Sequence, residues 1–398
     1  MENALIQEAQ QLVNTMRLAA AKEKLGQALE GNPRSVEALT GLARIALVTG
    51  DKTQASSLIR RALTVSPRDL DALTLKAAQL IDEQQHLQAL ALLTEASSAG
   101  ATSHALLYNL AVCHKELGDL DQARDACEQA LALRDDFETR YELGNILALD
   151  DDVEGAILEV LRSVEKNPAF VKGYLTLGSL FADAGDGEGA IRIYQEALRN
   201  VEGAPVLREK LCDLLALKLD FVHALEHAQV LARERGALQD HLRVAEYLLG
   251  LGRIPDAVAA NQEAARTDPR AWQPHFNLGE LYASVGAFSD AERSYCDAVE
   301  RAGPDVWQPH NGLGLLLLHH GSDPQEAGRW FIAAAEKGPD RPEPVYNLAL
   351  AQVALGKPDD ALKLVEKALA RIPQDSLLYA DATRLRDALG ASPRRKRS

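Results

Sequence analysis

Eleven alanines stand in register down this chain, at Ala21, Ala55, Ala89, Ala123, Ala156, Ala190, Ala224, Ala257, Ala291, Ala327 and Ala361. The steps between them are 34, 34, 34, 33, 34, 34, 33, 34, 36 and 34 residues. A period held over that length makes the molecule an array of one small unit, because such a unit buries its apolar face only against its neighbours. An array offers a long surface in place of a central pocket. Its function is expected to lie in what that surface holds.

Two more columns of small residues keep step with the alanines. One lies twelve residues earlier and reads Ala9, Ala43, Ala77, Ala111, Gly144, Gly178, Cys212, Ala245, Gly279 and Ala349, with Gly314 one residue further back. The other lies seven residues later and holds alanine or serine in every unit except the seventh, which has Leu231. Small residues at fixed spacing let helix backbones approach closely, and leucines such as Leu110, Leu143, Leu177 and Leu278 fill the space beside them. Pairs such as Gly118-Asp119 and Gly185-Asp186 fall where a left-handed cap would end one helix. Prolines such as Pro67, Pro168 and Pro269 close the units. Each unit therefore reads as two helices of about 12–15 residues, marginal alone in water and dependent on stacking.

Two stretches carry a family likeness most fully. They are Tyr346-Asn347-Leu348-Ala349 with Ala361, Val365, Ala368 and Pro373, and Phe276-Asn277-Leu278-Gly279 with Tyr282, Gly286, Ala291, Tyr295 and Ala298. In these residues and in its period the chain resembles the tetratricopeptide repeat (TPR) family, over residues 3–373. The resemblance implies an all-α protein, an α-solenoid wound as a right-handed superhelix of about eleven tandem helix pairs. The repeats are expected at 3–33, 36–67, 70–101, 104–135, 137–168, 171–202, 205–236, 238–269, 272–304, 307–339 and 342–373. An amphipathic helix at 375–390 is expected to cap the last repeat, followed by a basic flexible tail at 391–398.

Among 398 residues, 58 aspartates and glutamates against 43 lysines and arginines leave a net charge of −15. That balance speaks against binding nucleic acid, whose phosphates call for an excess of basic residues. The opening residues MENALIQEAQQ lack a secretory pattern, and no apolar run reaches the ~18 residues of a membrane helix. A soluble, cytoplasmic chain without membrane insertion is expected. The four cysteines show no metal spacing and are expected to be reduced, buried thiols. No phosphate-binding glycine loop, nucleophile elbow or HExxH occurs. His223 and His227, four apart on one helix, lack a third ligand in sequence. A non-enzymatic chain without cofactor or metal is the expectation.

Three departures from the pattern stand out. Repeat seven places Ala228 at a bulky site and Leu231 at a small one, and repeat eight places polar Asn261 at the bulky site. Repeat ten carries extra residues around His319-His320-Gly321-Ser322-Asp323-Pro324, expected to project from the array edge.

The resemblance further implies that first helices line a concave groove. By that geometry the partner-facing residues are Tyr108, Asn109, Tyr141, Asn145, Lys172, Lys210, Arg243, Phe276, Asn277, Asn311, Tyr346 and Asn347, with Asp213, Glu246 and Glu280 close by. An asparagine amide both donates to and accepts from a peptide backbone, and aromatics add flat contact area. The lysine, asparagine and arginine set with which chaperone adaptors clamp a carboxylate tail is not found. The expected function is a scaffold binding a protein or extended peptide in this groove. Two alternatives are self-assembly through the terminal repeats, giving a homo-oligomer, and recruitment of substrates in trans for an enzyme such as a protein glycosyltransferase.

Overall fold

The computed structural model describes residues 2–321 and 323–391, so the basic segment from 392 onward lies outside the described residues. Among the described residues there are helices and turns and no strands. Contacts divide the chain into two units, ending and beginning at Leu207 and Arg208. The first unit holds six helix pairs: α1 (Glu2–Asn14) and α2 (Leu18–Gly31), α3 (Val36–Val48) and α4 (Lys52–Val65), α5 (Leu70–Asp82) and α6 (His86–Ser98), α7 (His104–Leu117) and α8 (Leu120–Leu133), α9 (Phe137–Leu149) and α10 (Val153–Lys166), α11 (Val171–Asp183) and α12 (Gly187–Asn200). The helix α13 (Pro205–Leu217) carries the division and pairs with α14 (Phe221–Glu234). The second unit continues with α15 (Leu238–Gly250) and α16 (Ile254–Thr267), α17 (Gln273–Ser284) and α18 (Phe288–Arg301), α19 (Gln308–Leu316) and α20 (Pro324–Lys337), α21 (Pro342–Ala354) and α22 (Pro358–Leu369). A last helix, α23 (Leu377–Ala391), lays Leu378, Leu385 and Leu389 on the core around Val365 and Ala368. Within the first unit each helix from α1 to α12 packs on the next in sequence, and within the second each helix from α14 to α23 does the same, the arrangement of an α-solenoid.

Local chemistry sets the helix ends. Aspartates cap the starts: Asp51 accepts from the Gln54 amide at 2.9 Å, Asp136 from Thr139 at 2.9 Å and Asp186 from Gly189 at 2.8 Å. Between the two helices of a repeat, one turn residue sits at positive φ in ten of the eleven repeats among the described residues. Six are glycines, such as Gly118 at 87°, and four are Met16, Gln84, Asp151 and Leu219, the last at 61°. A side chain at this conformation is strained by its own Cβ, so glycine is the usual occupant.

The eleven register alanines are all fully buried, each at 0% exposure. What decides the fit is a match of size within each repeat. The residue four positions after the register alanine faces the earlier small column. Alanine stands opposite Leu25, Ile59, Leu93 and Val365, while glycine stands opposite Val160, Tyr194, Tyr295 and Phe331. A Cβ at Gly178 would lie 2.3 Å from Cζ of Tyr194, and one at Gly314 would lie 2.6 Å from Cε1 of Phe331. No room remains for a methyl group. Repeat seven inverts the sizes, with Cys212 against Ala228, and fills the later small column with Leu231, itself wholly buried. In repeat five that later column holds Ser163, whose hydroxyl donates to the Phe137 carbonyl at 2.7 Å.

Two expectations are corrected. The extra residues of repeat ten do not form a loop up to Gly321, and Ser322 lies outside the described residues. Leu317–Gly321 continues α19 as a π-helical turn, and His320 stacks on Phe288 of the preceding repeat with ring centroids 3.9 Å apart. The cysteines are not all buried: Cys113, Cys127 and Cys212 are, but Cys296 is exposed. Cys296 lies one residue past the buried Tyr295, on the outer face of α18, where other repeats place Arg60, Glu128 and Gln195. Burial pushes the Cys127 thiol up to about 12 and those of Cys113 and Cys212 to about 11. A disulfide-exchange reagent is thus expected to titrate one thiol in the native protein and all four in denaturant. A native count above one would show that the repeat cores open to solvent.

Candidate interaction face

Within each unit successive first helices touch: α3 on α5, α5 on α7 and α7 on α9 in the first, α17 on α19 and α19 on α21 in the second. In each unit the first helices present a face, and the residues expected to meet a partner lie on these helices.

One column of this face is turned toward the neighbouring repeat. It lies two residues before the earlier small column, and its polar members other than exposed Lys210 reach back one repeat. In the first unit the Asn109 amide donates to the Thr74 carbonyl at 3.1 Å. Glu142, buried, accepts from Lys115 at 2.7 Å, and Thr176 meets the Tyr141 hydroxyl at 3.1 Å. In the second unit Arg243 pairs with Asp213 at 3.2 Å, and the Asn277 amide donates to Asn261 at 3.2 Å. The Asn347 amide donates to Asn311 at 2.9 Å. Where the column holds glycine, the preceding repeat crowds it: a Cβ at Gly312 would lie 2.8 Å from Tyr295. Asn109, Arg243, Asn277, Asn311 and Asn347 therefore stitch repeat to repeat. Their hydrogen bonds are partly spent inside the protein, so replacing them perturbs packing as well as any bound segment.

The aromatics one residue earlier are half-buried or buried supports. Tyr108 stacks on His104, and burial together with nearby Glu142 raises its phenol well above the ordinary range. Tyr141 meets Phe170 edge-on at 5.1 Å and carries the exposed Lys172 ammonium over its ring at 5.4 Å. Phe276 lies between Trp272 and Tyr295, with centroids 5.9 and 5.8 Å away. Tyr346 packs into the cluster shared with α23.

The side chains left for solvent stand one residue after the small column. Asn145 is half-buried and makes no hydrogen bond, while Glu246 and Glu280 are exposed. Lys210 is exposed as well. Glu280 is held in place by the Tyr295 hydroxyl, which donates to Oε1. Between α15 and α17 this face opens into a recess of about 500 Å3. Leu242, Ala245, Leu249 and Leu281 form its apolar walls, Asn261 its floor, and Glu246 and Glu280 its rim. Repeat eight departs here from the apolar pattern of the other repeats. Buried Asn261 stands at the bulky site and donates its amide back to the Ala257 carbonyl at 3.0 Å. The signal was in the sequence, since Asn261 is the polar residue at a bulky site. What it lacked was the facing pair of α15 and α17, which joins it to Glu246, Glu280 and three leucines.

His223 and His227 diverge. His223 is exposed and bonds Asp220 at 2.7 Å, whereas His227 turns to Arg208 at 3.2 Å.

Family models described as "Tetratricopeptide repeat" match residues 104–137, residues 16–78 and 318–385, and residues 242–306 and 281–342. The BBSome complex member BBS4 of Bos taurus is 25% identical over 259 residues, which cover 63% of this chain and 48% of that protein. A UDP-N-acetylglucosamine–peptide N-acetylglucosaminyltransferase of Giardia intestinalis is 34% identical over 82 residues, covering 21% of this chain and 5% of the enzyme. The chain thus spans about half the length of these curated relatives or less. Among solved structures, the C-terminal part of a TPR repeat-containing protein from Cytophaga hutchinsonii superposes with a TM-score of 0.52 at 17% identity, covering 60% of this chain and 99% of that one. Its fold is the same stack of helix pairs. The chain belongs to the tetratricopeptide repeat superfamily.

Proposed function

We propose that this protein is a non-enzymatic interaction scaffold that holds an extended segment of a protein partner along its first-helix face. The observation that carries the reading is the division of labour on that face. Polar residues of one column close the seams between repeats, and the column next to the small residues leaves Asn145 half-buried in the first unit and Glu246 and Glu280 exposed in the second, on helices already formed. A surface already ordered before binding loses little entropy when a ligand docks. BBS4, by its name a member of a complex, is compatible with such a role. A substrate-recruiting role in trans would use the same face, and the Giardia match covers too little of that enzyme to favour it.

Selection of a random peptide library against the full chain tests the reading, with hydrogen exchange mapping where enriched peptides sit. Protection is expected on first helices such as α15 and α17. Failure to enrich any peptide, or protection confined to second helices, would remove the proposal.

A further inference from the structure

We infer that the recess between α15 and α17 receives a lysine or arginine side chain of the bound segment, an inference that rests on the scaffold reading above. Three observations converge on this choice of ligand. The walls are aliphatic, from Leu242, Leu249 and Leu281, and suit the methylene stem of a long side chain. The rim carries two carboxylates, Glu246 and Glu280, on neighbouring repeats and in the same column. Among the described residues neither pairs with a cation. Arg243, one turn earlier on α15, is paired with Asp213, and Glu280 accepts from the neutral Tyr295 hydroxyl. Burial and the adjacent carboxylate keep that phenol protonated, so it orients Glu280 without cancelling its charge.

Size agrees with chemistry. A space of about 500 Å3 lies inside the range of about 300–1,000 Å3 in which ordinary ligands are held. The floor is polar, for buried Asn261 lies there with its amide oxygen accepting from Asn277. A basic side chain entering here buries its stem against the leucines and brings its charge to the two carboxylates at the mouth. An acidic segment would meet two uncompensated like charges, and an aliphatic one would leave the carboxylates facing an apolar group. The recess therefore selects by charge as well as by shape.

The experiment uses peptides enriched from the random library on the full chain, measured against wild type and the Glu246→Gln/Glu280→Gln variant. Both glutamates are exposed, so the variant keeps its fold, and its thermal melt verifies that. Each peptide is also made with its basic residues replaced singly by norleucine or citrulline. The expected result is one basic position whose neutralisation weakens binding by about tenfold or more, with the same loss in the glutamine variant and no further loss when both changes are combined. The exchange Glu246→Lys/Glu280→Lys should abolish binding of the same peptides, since the mouth of the recess would then repel a basic side chain. Peptides that bind without a basic preference, or that bind the glutamine variant as well as wild type, overturn the inference and leave the scaffold reading standing. A library that enriches no peptide removes both.

Discussion

Phe331→Ala is expected to lower the stability of the C-terminal repeats by about 3–5 kcal/mol, the usual cost of removing a wholly buried aromatic. Phe331 is 0% exposed and rests on the bare backbone of Gly314, so no side chain stands opposite to collapse into the space it leaves. The neighbouring Ile332 is 46% exposed, and Ile332→Ala should change stability by no more than about 0.5 kcal/mol. Urea denaturation followed by circular dichroism compares the two. In an array each repeat depends on its neighbours, so hydrogen exchange should also show α19 to α22 opening before the first unit in the Phe331→Ala protein. Equal midpoints for the two variants would show that the bulky column is not the core of the repeat.

The second large effect is expected at Gly178→Ala, about 1–3 kcal/mol of destabilisation for a single added methyl group. The new Cβ would fall 2.3 Å from Tyr194 Cζ, and that ring is buried and hydrogen-bonded through its hydroxyl to the Leu175 carbonyl at 3.4 Å. Neither side can move without opening the pair. The informative measurement is the rescue. Combining Gly178→Ala with Tyr194→Leu recreates the alanine and leucine combination of Ala9 with Leu25 and Ala77 with Leu93. The double variant should be more stable than the sum of the single losses predicts, by about 0.5–3 kcal/mol of coupling. Additive losses would mean that the two positions do not sense each other's size.

The fold was legible because its determinants repeat. A methyl-sized residue is needed wherever two helix backbones cross, and the same crossing recurs in every unit, so Ala21 to Ala361 declare the architecture together. The face was legible only in part. Asn109, Asn277 and Asn347 carry the amide chemistry that suits a peptide, but that chemistry does not say which neighbour claims it first. Here the preceding repeat does, through Thr74, Asn261 and Asn311. Only the register of one first helix against the previous repeat reveals this, and register between repeats leaves no mark in a single unit's sequence. Cys296 shows the same limit on a smaller scale. Being in a helix beside a core tyrosine did not decide its exposure; a rotation of one residue did.

The matched sizes of Gly178 and Tyr194 both lie between the proline that ends one unit and the turn that ends its own, whereas the amide bonds join one unit to the next. A gene duplication or deletion that moves a whole unit carries its internal fit along and has a single new junction to reconcile. A breakpoint between the two helices would instead part glycine from its ring. Lineages of such arrays should therefore lengthen and shorten in full units, with the junction residues, the partners of Asn109 or Asn347, changing first after each event.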